Sequence, residues 1–388
     1  MGGPGERARR VGQRATGRDA VMRAGVMVDA GQSREPPGGT RPGWSGPPPR
    51  EVCIVMLSAL GDAVHVLPVA TALKRAWPGT RITWVVQPAA RALVGAHPAI
   101  DEFLVFHRGR GLQGIGGFVD FADKVRGRRF DLVLGLQVYL KAGVLTALTP
   151  AAVKLGFDRA RARDLQWLFT THRIPPHRRQ HVQDQYFEFL SWLGVDAEPL
   201  SWGLVPDEGE REAQAAFFSS LDRPACAVVV GTSDPRKDWH AEGWARVLEA
   251  VERDHGLRPV LVGGPSPTER RIADEILART SARVVDALGD DVRRLVWLLE
   301  GSALTISPDT GPLHVSRAVG TPVVGLFGHT DPRRSGPYRA YEDLVVDGRT
   351  AHPGEDHGTA PAARDGMGRI TVERVMEKVA LAMDRHVR

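Results

Sequence analysis

The sequence predicts an α/β protein made of two Rossmann-like, doubly wound domains that face one another across a cleft. Three observations carry this prediction. Short apolar runs at 52–57, 81–86, 131–136, 227–231, 259–263, 303–306 and 323–327 read as strands buried on both faces, as in a parallel sheet. Segments with helical spacing alternate with them. The 388 residues exceed one ordinary core, and a hydrophobic content of 42% is enough to fill two.

The chain opens with a different kind of segment. Residues 1–49 are rich in Gly, Pro and Arg and show no apolar period, so they are expected to form a disordered tail, either inert or a basic arm toward anionic lipid. Residues 1–50 hold nine Arg against four acidic residues, which accounts for the whole formal charge of +5. The remaining chain is balanced, 42 basic residues against 42 acidic. The high pI therefore belongs to the tail, and nucleic acid is not expected as a partner.

From residue 51 a strand (52–57), a loop (58–62), a helical segment taken to begin at Pro68 and a second strand (81–86) form a βαβ unit. The ligand site of such a unit lies at the carboxyl end of its first strand, where Ser58, Gly61 and Asp62 stand. Strands follow at 103–106, 131–136 and 153–156, with a helix at 138–148. The Gly-rich stretch 111–118 reads as a loop, not a dinucleotide fingerprint, because it does not follow a strand and open a helix. Arg159, Arg161, Arg163, Arg173, His177, Arg178, Arg179 and His181 form a basic cluster, read as a solvated loop or an anion-binding rim.

A linker at 206–209 leads to a second alternation: strand 227–231, helix 244–255, strand 259–263, helix 268–280, strand 283–286, helix 292–300. The next unit, at 303–332, places Asp309 and Thr310 before Gly311 and Pro312 at the start of a helix. Pro needs no partner there and a capped helix start attracts anions, so a phosphate or nucleotide site is expected. At the end, Val372, Val375, Met376, Val379 and Met383 behind Thr371 form an amphipathic helix. The expected domains are thus 50–205 and 206–348, with 349–388 a loop and final helix.

Several side chains are candidates for chemistry. Asp62 could take a proton from a hydroxyl or could simply cap a helix. Thr232 and Ser233 could bond phosphate oxygens, and Lys237 could supply a point charge to a diphosphate, in what is otherwise a surface loop. His314 lies one turn into the anion-binding helix. No metal site is expected, since His352, Glu355, Asp356 and His357 match no helix face and sit among Gly and Pro. Cys53 and Cys226 lie in strand runs and read as buried thiols of a reducing compartment. The longest uncharged run, 13 residues at 318–330, is short of the ~18 of a membrane span, and the Arg-rich start lacks the apolar core of a secretory signal. A cytoplasmic location follows as an expectation, at most peripheral on a membrane.

The segments IVMLSALGDAVHVLPVATALKRAWPGTRITWVV, FDLVLGLQVYLKAG, LGFDRARARD, GTSDPRKDW and SPDTGPLHVSRAVGTPVVGLFGHTDP together resemble glycosyltransferase family 9, the lipopolysaccharide heptosyltransferases, over about residues 52–379. The resemblance implies a GT-B fold whose final helix packs back on the first domain. It implies inverting, metal-independent transfer of heptose from ADP-heptose, without a cofactor, to an inner-core sugar of a lipid-linked saccharide at the inner membrane face. Asp62 then matches the general base. Thr232, Ser233 and Lys237 match the donor-phosphate loop of the second domain, and Asp309, Thr310, Gly311 and His314 the donor-sugar and diphosphate motif. Ser58, Gly61, Lys141 and Arg163 fall on the acceptor side, in the first domain. Another donor sugar, a different acceptor, or a nucleotide-sugar binding protein without turnover are the alternatives. The chain departs from the family pattern at Gly135, where Asp usually precedes Leu-Gln-Gly, at 352–368, where a Cys-containing segment is absent, and in its tail.

Overall fold

The structure, a computed structural model, describes residues 43–95, 97–109, 112–289, 291–349 and 365–387. Most of the expected tail, residues 1–42, lies outside them, as do His352, Glu355, Asp356 and His357.

The first half runs Glu51–Val55 (β1), Leu60–Ala76 (α1), Arg81–Val86 (β2), Pro88–Val94 (α2), Glu102–Val105 (β3), Leu112–Val125 (α3), Phe130–Gly135 (β4), Leu140–Leu148 (α4), Ala151–Gly156 (β5), His172–Arg173 (β6) and Val182–Leu193 (α5). Its six strands are parallel in the order β3-β2-β1-β4-β5-β6. Side chains of β1 alternate between two helical layers. Val52 and Ile54 join the core beneath α1 and α2, whereas Cys53 and Val55 pack with Phe121, Val125, Ala142 and Leu145 of α3 and α4.

The second half runs Glu208–Ser219 (α6), Ala225–Val229 (β7), Ala241–His255 (α7), Arg258–Val262 (β8), Pro267–Leu277 (α8), Val285–Asp286 (β9), Val292–Gly301 (α9), Leu304–Pro308 (β10), Gly311–Val319 (α10), Val323–Phe327 (β11), Pro332–Ser335 (α11), Val345–Asp347 (β12) and Val372–Arg385 (α12). Its parallel order is β12-β11-β10-β7-β8-β9, the same winding as the first half. Each sheet reverses direction between its first and fourth strands. The loops leaving β1 and β4, and those leaving β7 and β10, therefore flank a switch point, where doubly wound sheets bind ligands.

Four expectations are corrected. Residues 112–125 form a helix and not a loop: the glycines mask a stripe in which Phe121 and Val125 bury against the sheet. Helix α1 begins at Leu60, eight residues before Pro68, which sits inside it. The N–H that Pro68 lacks costs one backbone bond, and the buried Val64, Val66, Leu67 and Val69 around it offset that loss. The final helix packs on the second half, along α7, and not on the first. Its apolar stripe, Val375, Val379 and Ala382, joins the core that holds Trp244. Its basic face is fixed as well, Arg374 donating to Asp347 O (2.7 Å) and Lys378 to Asp343 O (2.6 Å) at the sheet edge. The expected linker at 206–209 is largely the start of α6, where Asp207 and Glu210 bond one another's backbone N–H in a capping box.

The halves meet where α1 lies against α10. A Cβ at Gly61 would stand 2.8 Å from His314 Cδ2, and one at Gly311 would stand 3.0 Å from Leu60 Cβ. Glycine at both positions lets the two helix starts approach this closely.

Candidate active site

The loop after β1 is braced from β4. Leu57 N donates to Gln137 Oε1 (3.2 Å), and Gln137 Nε2 donates to Ser58 O (2.7 Å). Asp62, in the first turn of α1, accepts from Ala59 N at 3.1 Å, so its carboxylate closes its own helix start. The Tyr186 hydroxyl, carried in by α5, donates to the other carboxylate oxygen at 3.5 Å, the long limit of a hydrogen bond. Burial pushes the Asp62 carboxyl above its ordinary range, against the Ala59 N–H, the Arg334 charge and the Tyr186 hydroxyl, which favour the ionised form. The Tyr186 phenol is itself pushed well up by burial and by Asp62, and remains a donor. A carboxylate beside a helix start is expected to ionise readily; here desolvation outweighs that preference.

Across the contact, β10 delivers Asp309 and α10 begins behind Thr310 as N-cap, with Gly311 ahead of Pro312. Asp309 is buried. It accepts from Lys237 Nζ (2.9 Å to Oδ2, 3.1 Å to the carbonyl), from Thr330 Oγ1 (2.5 Å) and from Ser335 Oγ (3.4 Å). His314 Nε2 lies 3.9 Å from its other oxygen. Lys237 and Asp309 thus form a part-buried pair that joins the loops after β7 and β10. Thr232 is committed within its own loop, its N–H and hydroxyl on Asp238 Oδ1 (3.0 and 2.8 Å), while Ser233 is exposed.

His314 packs against His65 with ring centroids 4.4 Å apart, and His181 stands 5.8 Å from His65. Gln183 holds His65, Oε1 on Nδ1 at 2.9 Å and Nε2 on the His65 carbonyl at 2.8 Å. Burial pushes His65 and His181 down to about 4 and His314 well below its usual value, so the cluster is neutral near pH 7.

Apart from Thr232 and Ser233, on their own loop, the predicted residues therefore fall into two groups. Ser58, Gly61, Asp62, Lys237, Asp309, Thr310, Gly311 and His314 converge on the α1–α10 contact. Lys141 and Arg163 stand apart on an exposed rim at the start of α4, where the Arg163 guanidinium lies 5.9 Å from the Tyr139 ring. Gly135 leaves room that the buried Gln166 amide approaches, 3.3 Å from where a Cβ would stand. A cavity of about 860 Å³, lined in part by His181 of the predicted basic cluster and by Asp184, Tyr338, Arg374 and Lys378, contains none of the residues predicted as base, donor ligand or acceptor ligand.

Four contributors escaped sequence reasoning: Gln137, Tyr186, Arg334 on α11 and Thr330. Gln137 and Thr330 follow β4 and β11, so the rule that ligands gather at carboxyl strand ends could have flagged them. Tyr186, mid-helix, carries no local signal.

With this geometry in hand, the chain can be set beside known proteins. The family model for glycosyltransferase family 9 (heptosyltransferase) matches residues 118–358, well over half of the chain and parts of both halves. The chain belongs to this family. Among relatives of this glycosyltransferase, the lipopolysaccharide core heptosyltransferase OpsX of Haemophilus influenzae is 28% identical over 298 residues, covering 76% of this chain and 84% of the relative. Lipopolysaccharide heptosyltransferase 1 of Escherichia coli K12 is 25% identical over 339 residues, 85% of this chain and 99% of the relative. A family 9 glycosyltransferase from Veillonella parvula shares the fold, with a TM-score of 0.73 at 24% identity over 86% of this chain and 96% of that one. E. coli heptosyltransferase WaaC with ADP gives 0.65 at 22% identity over 86% and 98%. The transferase thus has the GT-B architecture of two doubly wound domains.

Proposed function

We propose that this glycosyltransferase moves a heptose from ADP-heptose to an inner-core sugar of lipopolysaccharide, with inversion and without a metal. The supporting observation is Asp62, a carboxylate held at the switch point of the first half, its affinity for protons raised by burial, facing the Lys237–Asp309 pair of the second. In a single displacement, Asp62 takes the proton of the acceptor hydroxyl as that oxygen bonds the anomeric carbon. The bond from that carbon to the ADP oxygen breaks, and ADP leaves with the electron pair. A base held above the usual carboxylate range is better matched to a hydroxyl proton than a fully solvated one. Lys237, shared with Asp309, and the amides at the start of α10 receive the charge that develops on the leaving diphosphate.

The donor and acceptor classes are supported by the names of the relatives, lipopolysaccharide heptosyltransferases in each case reported above. A structure of WaaC with ADP-2-deoxy-2-fluoro heptose has the same fold. On this reading residues 50–205 hold the acceptor, with Lys141 and Arg163 on its approach, and 206–348 hold the donor. The work is done in the cytoplasm at the inner membrane face. The deciding experiment supplies purified protein with ADP-heptose and deacylated core saccharide and measures ADP release and the anomeric configuration of the product. Donor-dependent ADP release only in the presence of acceptor is expected. Absence of release with every core saccharide, despite ADP binding, would reduce the chain to a nucleotide-sugar binding protein.

A further inference from the structure

Of the large apolar side chains that the described residues expose, all but Val205 lie on α3, on α4 or in the turn Gln166–Phe169 that packs on α4. Ile115 and Val119 are one turn apart on α3 and 61% and 56% exposed. Tyr139 and Leu140 open α4 at 46% and 45%, Leu165 precedes the turn at 59% and Leu168 lies within it at 56%. These elements form one layer: α3 and α4 cover the same face of the first sheet, opposite the face on which α1 meets the second half. Among the described residues, no element covers that layer. Single exposed aliphatic side chains are ordinary, but a concentration of them on one face marks an interaction surface.

Charge identifies the partner. Residues 139–179 carry eight Lys and Arg against two Asp, within a body, 51–388, that is balanced overall. Lys141, Arg159, Arg163 and Arg173 are exposed around the apolar residues. The Arg159 and Arg173 guanidinium groups lie over the Trp167 ring at 4.5 and 5.3 Å, which holds them at the rim. Apolar side chains ringed by cations suit a surface that offers hydrocarbon beneath anionic headgroups. A protein interface, by contrast, tends to lose charged residues from its core.

We propose that the transferase docks on an anionic phospholipid bilayer through this α3–α4 face. The inference deepens the reading above and rests on its lipid-linked acceptor. Tyr139 lies four residues past the end of β4 and two past the Gln137 brace of the Asp62 loop, with Leu140 and Lys141 next in line. Docking here therefore sets the mouth of the cleft at the headgroup level, where the saccharide of a membrane-embedded acceptor is presented.

The test is co-sedimentation of the full chain with phosphatidylglycerol-containing vesicles and with pure phosphatidylcholine vesicles, at low and high salt. Binding is expected only to the anionic vesicles and should weaken as salt rises, because headgroup attraction is screened. A variant carrying Ile115→Gln, Val119→Gln, Leu165→Asn and Leu168→Ser changes exposed positions only; Asn suits the left-handed backbone of residue 165 (φ 61°). Each half-buried aliphatic group contributes about fourfold to partitioning, so the variant with four replaced should bind vesicles about 250-fold more weakly. Its ADP release with the soluble deacylated acceptor should be unchanged, which separates this inference from the proposed reaction. Vesicle binding by the variant equal to that of the unaltered chain would overturn the proposal, since the basic tail is present in both. So would a self-association that the same substitutions abolish, observed without any vesicle binding.

Discussion

Tyr186→Phe isolates the electrostatics of the proposed base. The substitution removes one oxygen and keeps the ring, which packs 6.4 Å from Phe157 and 6.5 Å from His65 between centroids, so the surrounding core is undisturbed. Among the described residues the hydroxyl donates only to the Asp62 carboxylate, at 3.5 Å, and so favours its ionised form. A well-formed hydrogen bond to a charged group is worth about 1.5–3 kcal/mol, and a long one about 1 kcal/mol, or fivefold in the ratio of ionised to protonated Asp62. Removing it leaves Asp62 more often protonated at a given pH, so the acid limb of kcat/KM moves to higher pH. At any pH on that limb the Phe variant should be about fivefold slower, whereas the alkaline plateau should match that of the unaltered enzyme. Steady-state ADP release across a pH series measures both. Asp62→Asn should abolish the limb and lower turnover by the roughly 10²–10⁴ that a positioned base contributes. A limb that stays in place, moves to lower pH, or gives way to equal loss at every pH would refute the assignment.

Three further outcomes follow from the geometry. Lys237→Ala should weaken ADP binding about tenfold to a hundredfold by calorimetry, the range of one charge-assisted bond, and unchanged affinity would remove Lys237 from the donor site. Gly61→Ala pushes a methyl group into His314 and should destabilise by about 1–3 kcal/mol, seen as a lower melting midpoint. Adding His314→Ala should recover part of that loss, whereas Gly79→Ala, with nothing within 4 Å, should be neutral or slightly stabilising. The third concerns pH. His65 and His181 hold pKa values of about 4 in the folded protein against 6.5 unfolded, so the unfolded chain binds more protons between those values. Stability is therefore full above about pH 6.5 and lost as pH falls toward 4, by a few kcal/mol at most. His65→Asn should flatten this fall in the melting midpoint, and an equally steep fall would place its origin elsewhere.

The sheet strands were legible because burial on both faces writes continuous apolar runs, and β1, β2, β4, β7, β8, β10 and β11 were all visible that way. The short edge strands β6 and β12 were not, since two or three residues carry no period. Helix α3 was hidden by its glycines, which local propensity assigns to loops and only tertiary burial of Phe121 and Val125 overrides. In the site, the residues that follow β1, β7 and β10 were found, because strand ends announce loops, whereas Gln137 and Thr330, after β4 and β11, were not. Lys237 was read as a charge for the diphosphate and Asp309 as part of a separate donor-sugar and diphosphate motif, and nothing 72 residues apart in sequence could reveal that they bond one another. The Asp62–Tyr186 contact spans 124 residues and a helix that showed no signal of its own.

The glycine contact between α1 and α10 also has a mechanical side. Gly61 and Gly311 bring backbone against backbone with almost no side chain between them, and this near point of the two halves lies beside Asp62 and Asp309. A fulcrum so placed has a short lever arm to the reacting groups and a long one to the outer rims. Rocking of one half on the other would therefore open and close the mouth for donor and product while leaving the spacing of the base and the diphosphate loops little altered. Bulk at either glycine would move the fulcrum outward, and with it the register on which the chemistry depends.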